Sequence, residues 1–161
     1  MIHLLVGQIE TGKSTALINW IKGKTNVYGI LSPVDDNKKR GFFNIETKEK
    51  FAMQADSEEE NVISIGRYHF YKSAFKMANS IIIQNVKTKS AGYIIIDELG
   101  KLELKSQGLH ASALTAIEKT RNNKKLHTIL VVRDYLLENI KNHYKITNGN
   151  VLTISSLSSL G

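Results

Sequence analysis

The chain has no cysteine among its 161 residues and only one proline. The lack of cysteine excludes disulfide bonds, metal sites built on thiolates and cysteine nucleophiles. No apolar run approaches the roughly eighteen residues that a membrane-spanning helix needs, and the opening "MIHLLVG" is too short for a signal peptide. We therefore expect a cytoplasmic protein that has no membrane-spanning segment.

The chain does have enough apolar residues for one core, together with an excess of positive charge. With 42% hydrophobic residues, its length predicts a single domain over residues 1–161, of which 155–161 form a frayed tail. The net charge of +7 favours polyanionic partners, such as nucleotides or nucleic acid. Because the lysines are scattered and aromatic residues do not interleave with them, nucleic acid is only weakly supported.

Apolar residues recur with strand spacing and helix spacing in alternation along the chain. Such alternation predicts a three-layer α/β fold with a mostly parallel central sheet and helices on both faces. The "RGFFNIETKEKFAMQ" stretch predicts an inserted β-hairpin over 40–54. The other predicted strands are 2–6, 26–32, 61–66, 92–96, 127–132 and 150–154, and the predicted helices are 13–22, 70–86, 108–121 and 135–142.

The stretch "GQIETGKS" (7–14) matches the phosphate-loop pattern G-x-x-x-x-G-K-[ST] and lies between a predicted strand and a predicted helix. In such a loop, glycines let successive backbone N–H groups point at an anion, and the helix adds its positive end. Lys13 would reach the β- and γ-phosphates, and the Ser14 hydroxyl would bind Mg²⁺. The residues expected to bind the nucleotide are Gly7, Gln8, Ile9, Glu10, Thr11, Gly12, Lys13, Ser14 and Thr15.

Glu10 places a carboxylate inside this anion site. A carboxylate beside a triphosphate is repulsive unless it points away or pairs with a cation. We therefore predict that Glu10 faces outward or pairs with a basic group such as Arg40 or Lys101.

A second polar cluster follows the buried strand "YIII" as Asp97 and Glu98. We predict that Asp97 holds Mg²⁺ together with Ser14, and that Glu98 orients and polarises the attacking water. The carboxyl ends of parallel strands meet at one edge of a sheet. The clusters "GQIETGKS", "DELGK" and "RDY" should therefore meet there.

Charge on the transferring phosphoryl group also calls for a cation at the site. Arg133 follows a predicted strand, Arg67 lies in "GRY", and Arg40 and Lys101 flank the same region. We predict that Arg67 and Arg133 act in catalysis beside Lys13 and Glu98. The alternative for each arginine is an ordinary structural ion pair. The five histidines show no metal-ligand spacing.

The segment "IIIDELGKLEL" resembles the "DEIGKMEL" signature of the small THEP-type nucleoside triphosphatases of the P-loop NTPase superfamily, called cancer-related nucleoside triphosphatases in animals. "GILSP", "RGFFNIET" and "SIGRYHFYKSAF" are similar to further segments of that family in the same order, so the resemblance covers about residues 2–145. This chain departs from the family pattern at Glu10, where the family has glycine, at Ser14, where it has threonine, and in the acidic segment 56–60.

The resemblance implies a P-loop NTPase that slowly hydrolyses nucleoside triphosphates, such as ATP and GTP, to diphosphate and phosphate, with Mg²⁺ and broad base tolerance. By position it gives phosphate and metal binding to the phosphate loop, metal support to Asp97 and water activation to Glu98. Two alternatives stay open. One is a small P-loop kinase that passes the γ-phosphate to a metabolite, although no arginine-rich lid segment is visible. The other is a nucleotide-switched nucleic-acid-binding module.

Overall fold

The computed structural model describes residues 1–8, 12–57 and 61–161. Its strands are β1 (Ile2–Gly7), β2 (Val27–Leu31), β3 (Gly41–Asn44), β4 (Lys50–Ala52), β5 (Gln54–Ala55), β6 (Val62–Ile65), β7 (Tyr68–Tyr71), β8 (Gly92–Leu99), β9 (Leu126–Arg133) and β10 (Asn150–Leu152). Its α-helices are α1 (Lys13–Ile21), α2 (Lys72–Thr88), α3 (Lys101–Leu104), α4 (His110–Arg121) and α5 (Leu137–His143). Short 3₁₀ helices cover Asp134–Leu136 and Ile154–Leu160. No described helix is long and apolar enough to cross a bilayer.

Among the described residues, seven strands form one sheet in the order β10-β1-β9-β8-β2-β3-β4. The neighbours from β10 to β2 pair in parallel, whereas β3 and β4 continue the sheet as an antiparallel hairpin. The mostly parallel sheet and the inserted hairpin are therefore confirmed. Because β9 lies between β1 and β8, three parallel strands end side by side behind the phosphate loop and the acidic pair.

Two apolar layers cover the sheet, one on each face. Successive residues of a strand point to opposite faces, so Ile94 and Ile96 belong to one layer and Ile95 to the other. The first layer is completed by residues of α2, α4 and α5, and the second by residues of α1 and of the last 3₁₀ helix. This arrangement is the predicted helix–sheet–helix sandwich.

A second, three-stranded sheet in the order β5-β7-β6 was not predicted in full. The sequence predicted the strand that became β6, but it extended the following helix back to residue 70. In the structure Tyr68–Tyr71 pairs with Val62–Ile65 across a tight turn, and α2 begins at Lys72. Tyr71 fits the helical stripe of α2 by spacing alone, so periodicity could not separate the strand end from the helix start.

The end of the chain differs from the predicted frayed tail. Ile154–Leu160 forms a 3₁₀ helix, and Leu157 is only 3% exposed, packed in the layer that contains Leu5 and Leu17. The Tyr93 hydroxyl also donates a hydrogen bond of 2.7 Å to the Leu160 carbonyl. The serine-rich composition suggested fraying, but two leucines anchor the segment to the sheet.

Replacing Leu157 with alanine should lower the free energy of unfolding by about 2–3 kcal/mol, because it removes a buried side chain and leaves a cavity. Urea unfolding followed by circular dichroism measures the change. The exposed Ser158 supplies the control, since Ser158→Ala should change stability by less than about 0.5 kcal/mol. Equal free energies of unfolding for Leu157→Ala and the native chain would instead support the prediction of a frayed tail.

Candidate active site

The predicted phosphate loop joins β1 to α1. Gly12 is the last loop residue before α1 and has a φ of 82°, a left-handed conformation that side chains other than glycine rarely adopt. Its carbonyl accepts the first helical hydrogen bond, from the Ala16 amide at 2.8 Å. The predicted roles of Ile9, Glu10 and Thr11, and the predicted orientation of Glu10, lie outside the described residues. Thr15 lies exposed in the first turn of α1.

The ammonium group of Lys13 lies against the backbone at the end of β1. It donates hydrogen bonds to the carbonyls of Gly7 at 3.1 Å and Gln8 at 2.8 Å, and the residue is 6% exposed. Burial lowers the pKa of Lys13, while the nearby carboxylates of Glu98 and Asp97 raise it. The loop thus carries a buried cation beside two acids.

Ser14 and Asp97 meet across the gap between α1 and β8. The Ser14 hydroxyl donates a hydrogen bond of 2.6 Å to Asp97 Oδ2, and the backbone amide of Ser32 donates to the same oxygen at 3.0 Å. Asp97 is 1% exposed. A hydroxyl and a carboxylate are the hard oxygen ligands that Mg²⁺ prefers, so the donor set suits that ion.

Glu98 lies next to Asp97, and the peptide bond between them is cis. The Glu98 carboxylate pairs with Arg133, with 3.2 Å between Oε1 and Nε. Arg133 ends β9 and stands in register with Gly7 at the end of β1. The three predicted polar clusters are therefore brought to one edge of the sheet.

The pKa of Glu98 is raised above its usual range, first because the carboxyl is largely buried and second because the Asp97 charge is adjacent. Arg133, Arg40 and Lys13 act in the opposite direction. The two neighbouring acids thus differ in their surroundings: Asp97 accepts two hydrogen bonds, whereas Glu98 is ion-paired and partly accessible, with 18% of its side chain exposed.

A cavity of about 400 Å³ opens beyond Glu98. Arg133 and Glu98 line its inner end, and Arg40, Arg67 and Lys101 line its other walls. Arg40 Nη1 donates to the Ser32 carbonyl at 2.9 Å. Arg67 Nη2 donates to the Tyr68 hydroxyl at 3.0 Å. Of the two predicted catalytic arginines, Arg133 contacts Glu98 directly. Arg67 lies in the turn between β6 and β7.

Glu103 is a buried acid of this region that sequence reasoning missed. It is 4% exposed and accepts backbone hydrogen bonds of 2.8 Å from Gly100 and from Leu109. These bonds fix the segment that carries Lys101 along the cavity wall. The helical spacing of "KLEL" gave no sign that the glutamate would face inward.

The sequence predicts no metal-ligand role for the five histidines. Within residues 1–8, 12–57 and 61–161, no cluster of three or more His, Asp or Glu side chains could hold a metal ion. The hydroxyl–carboxylate pair of Ser14 and Asp97 is smaller than such a cluster, and holding Mg²⁺ there would require further oxygen ligands.

Comparisons with known proteins agree with this geometry. A sequence model of the NTPase family matches residues 3–155. The crystal structure of THEP1 from the hyperthermophile Aquifex aeolicus is 14% identical with a TM-score of 0.76, and the match covers 100% of this chain and 97% of that chain. The solution structure of a human cancer-related nucleoside triphosphatase is 17% identical with a TM-score of 0.70, covering 98% and 94%. The chain matches none of the curated proteins compared with it. The two structures confirm the predicted fold.

Glu103 yields a prediction about stability and pH. Burial raises its pKa to about 7 from an ordinary 4.5. The Glu103 carboxyl therefore holds its proton more tightly in the folded chain than in the unfolded chain. The stability that this tighter binding contributes is full below about pH 4.5 and is lost as pH rises through 7. The free energy of unfolding of the native chain, minus that of Glu103→Gln, should fall by on the order of 2 kcal/mol from pH 4.5 to 8. Urea unfolding of both chains measures this difference.

Titratable groups that both chains share contribute equally to their free energies of unfolding, so these contributions cancel in the difference. The exposed Glu118 gives the matched control, because Glu118→Gln should differ from the native chain by a nearly constant amount over the same range. A pH-independent difference for Glu103→Gln would contradict the assignment.

Proposed function

The chain belongs to the NTPase family, whose model matches residues 3–155, and on that premise we propose a Mg²⁺-dependent nucleoside triphosphatase. It hydrolyses ATP, GTP and other nucleoside triphosphates to diphosphate and phosphate. The observation that carries the proposal is the 2.6 Å contact of Ser14 with Asp97 beside the Lys13 ammonium, with Glu98 as the next residue. Broad base tolerance and slow turnover follow the resemblance to the THEP-type enzymes.

The loop and Lys13 bind the triphosphate. The Lys13 ammonium already lies against two loop carbonyls, so phosphate oxygens entering the loop meet a cation held in place. The N-terminal amides of α1 add donors and partial positive charge. Ser14 and Asp97 would hold Mg²⁺, which supplies charge that offsets the negative oxygens of the β- and γ-phosphates.

Glu98 positions the attacking water. Its raised pKa makes the carboxylate a stronger proton acceptor than an ordinary glutamate, while the pairing with Arg133 fixes where it points. The water oxygen bonds to the γ-phosphorus, the bond to the bridging oxygen breaks, and the water proton passes to Glu98. The diphosphate leaves with the bridging electron pair.

Arg133 acts by holding Glu98 and by adding positive charge beside the transferring group. Arg67 is proposed as the second cation. It lies in the turn between β6 and β7 and lines the same cavity as Glu98.

Phosphate release from a panel of triphosphates with Mg²⁺ tests the proposal. Glu98→Gln keeps the shape but removes the proton acceptor, so kcat should fall about 10²–10⁴-fold with little change in KM. Lys13→Ala should lower both affinity and rate. The exposed pair Glu118→Gln and Lys76→Ala provides matched controls. Full activity in Glu98→Gln would contradict the role given to Glu98.

Arg133→Gln should shift the pH dependence of hydrolysis. Glu98 must be ionised to accept a proton, so the rate falls as pH drops through its raised pKa. Arg133 keeps that pKa lower than burial alone would give. Its removal should therefore move the acidic limb of the kcat profile to higher pH and lower the plateau about 10-fold or more. An unmoved limb would show that Arg133 does not interact with the reacting base.

A further inference from the structure

The cavity beyond Glu98 has features that water hydrolysis does not use. Its volume of about 400 Å³ suits a small organic ligand rather than one water molecule. It is lined by Phe42 of β3, by residues of β6 and β7, and by residues between Gly100 and Leu109. Of the described phosphate-loop residues, none lines it, so it is a compartment next to the nucleotide site.

The walls of the cavity combine aromatic rings with cations. Tyr68 is 42% exposed at its wall, stacks near Phe70 with ring centroids 6.3 Å apart, and lies under the Arg67 guanidinium at 5.1 Å. Phe42 and Phe75 form the apolar floor. Arg40 and Lys101 add positive charge, whereas the charge of Arg133 is paired with Glu98. Aromatic faces stack on flat bases, and arginines bind phosphate, so the walls fit one nucleotide unit.

Among the described residues, two acids line the cavity, and each already has partners. Glu103 is 4% exposed and accepts hydrogen bonds from the amides of Gly100 and Leu109. Glu98 is paired with Arg133 at the inner end. Among the described lining residues, an anionic ligand therefore meets the cations Arg40, Arg67 and Lys101, and it meets the Glu98 carboxylate already paired with Arg133.

The location also fixes which side of the γ-phosphate the cavity faces. The loop and Lys13 hold the phosphates, and the attacking oxygen has to approach from the side opposite the leaving diphosphate. Glu98, proposed above to position the attacking group, lines the cavity while the loop does not. A ligand in the cavity thus lies on the side of the nucleophile.

We propose that this cavity is an acceptor site for a nucleotide unit, an aromatic base that carries a phosphate, and that the chain transfers the γ-phosphoryl group to it. The inference rests on the proposed function. A phosphate or hydroxyl oxygen of the acceptor bonds to the γ-phosphorus, and the bond to the bridging oxygen breaks. Any proton on the attacking oxygen of the acceptor passes to Glu98. The diphosphate leaves with the electron pair of the broken bond to the bridging oxygen. Without an acceptor, water takes the same path.

The nucleotide unit could come from a free nucleoside monophosphate or from the end of a single strand, and both present the same base and phosphate. The test incubates the full chain with Mg²⁺ and ATP labelled on the γ-phosphate, with AMP, GMP, CMP, UMP or a short single-stranded oligonucleotide as probe. Label in the probe and label in inorganic phosphate are measured together.

The stacking residue Tyr68 supplies a matched pair of variants. Tyr68→Ala should raise the KM for the acceptor at least fivefold and lower the ratio of transfer to hydrolysis, because it removes the stacking face. Tyr68→Phe keeps the ring and should stay within about twofold of the native chain. Because Tyr68 is exposed, neither change should unfold the chain.

Label in a probe, with this order of the Tyr68 variants, supports the acceptor site, and the probe that is labelled identifies the source. Label confined to inorganic phosphate for every probe overturns the inference and leaves the hydrolase standing. Transfer that Tyr68→Ala does not affect also overturns it, because the acceptor then binds elsewhere. If the native chain releases no phosphate and labels no probe, the proposed function itself is wrong.

Discussion

The hydrogen bond between Ser14 and Asp97 joins two parts of the chain that are 83 residues apart. One partner lies in the first turn of α1, directly after the phosphate loop, and the other near the end of β8. The bond forms because both strands that lead to it end at the same edge of one parallel sheet. If the sheet order or register changed, the loop and the Asp97 carboxylate would separate, and the arrangement proposed to bind a Mg²⁺–triphosphate would be lost.

The sheet order also gives two adjacent acids different surroundings. Asp97 is held by two donors and is almost inaccessible, which suits a fixed ligand. Glu98 lies against Arg133 from the intervening strand β9, and its pKa is raised by burial and by Asp97. Environments that separate the behaviour of paired carboxylates are a common basis for acid–base chemistry. Here that difference comes from placing β9 between β1 and β8.

The sequence could predict the parts of the site that depend on local spacing. The phosphate loop, the strand before Asp97 and the strand before Arg133 follow from short patterns, and the parallel sheet brings them together. It could not predict that Glu103 turns inward, because that depends on amides of Gly100 and Leu109 meeting its two oxygens. The anchored end of the chain, with Leu157 buried, likewise depends on contacts between residues far apart in sequence.

The three-stranded sheet shows most clearly what local patterns leave out. Its strands are two to four residues long, and strands of that length carry too few residues for a reliable period. Yet β6, β7 and the turn between them supply one wall of the cavity next to Glu98, with Tyr68, Phe70 and Arg67 among its lining residues. A water molecule needs only Glu98 and space. Ordering this wall costs conformational freedom, and the exposed ring of Tyr68 is not needed to position a water molecule. The acceptor site proposed above would give both the wall and the ring a use.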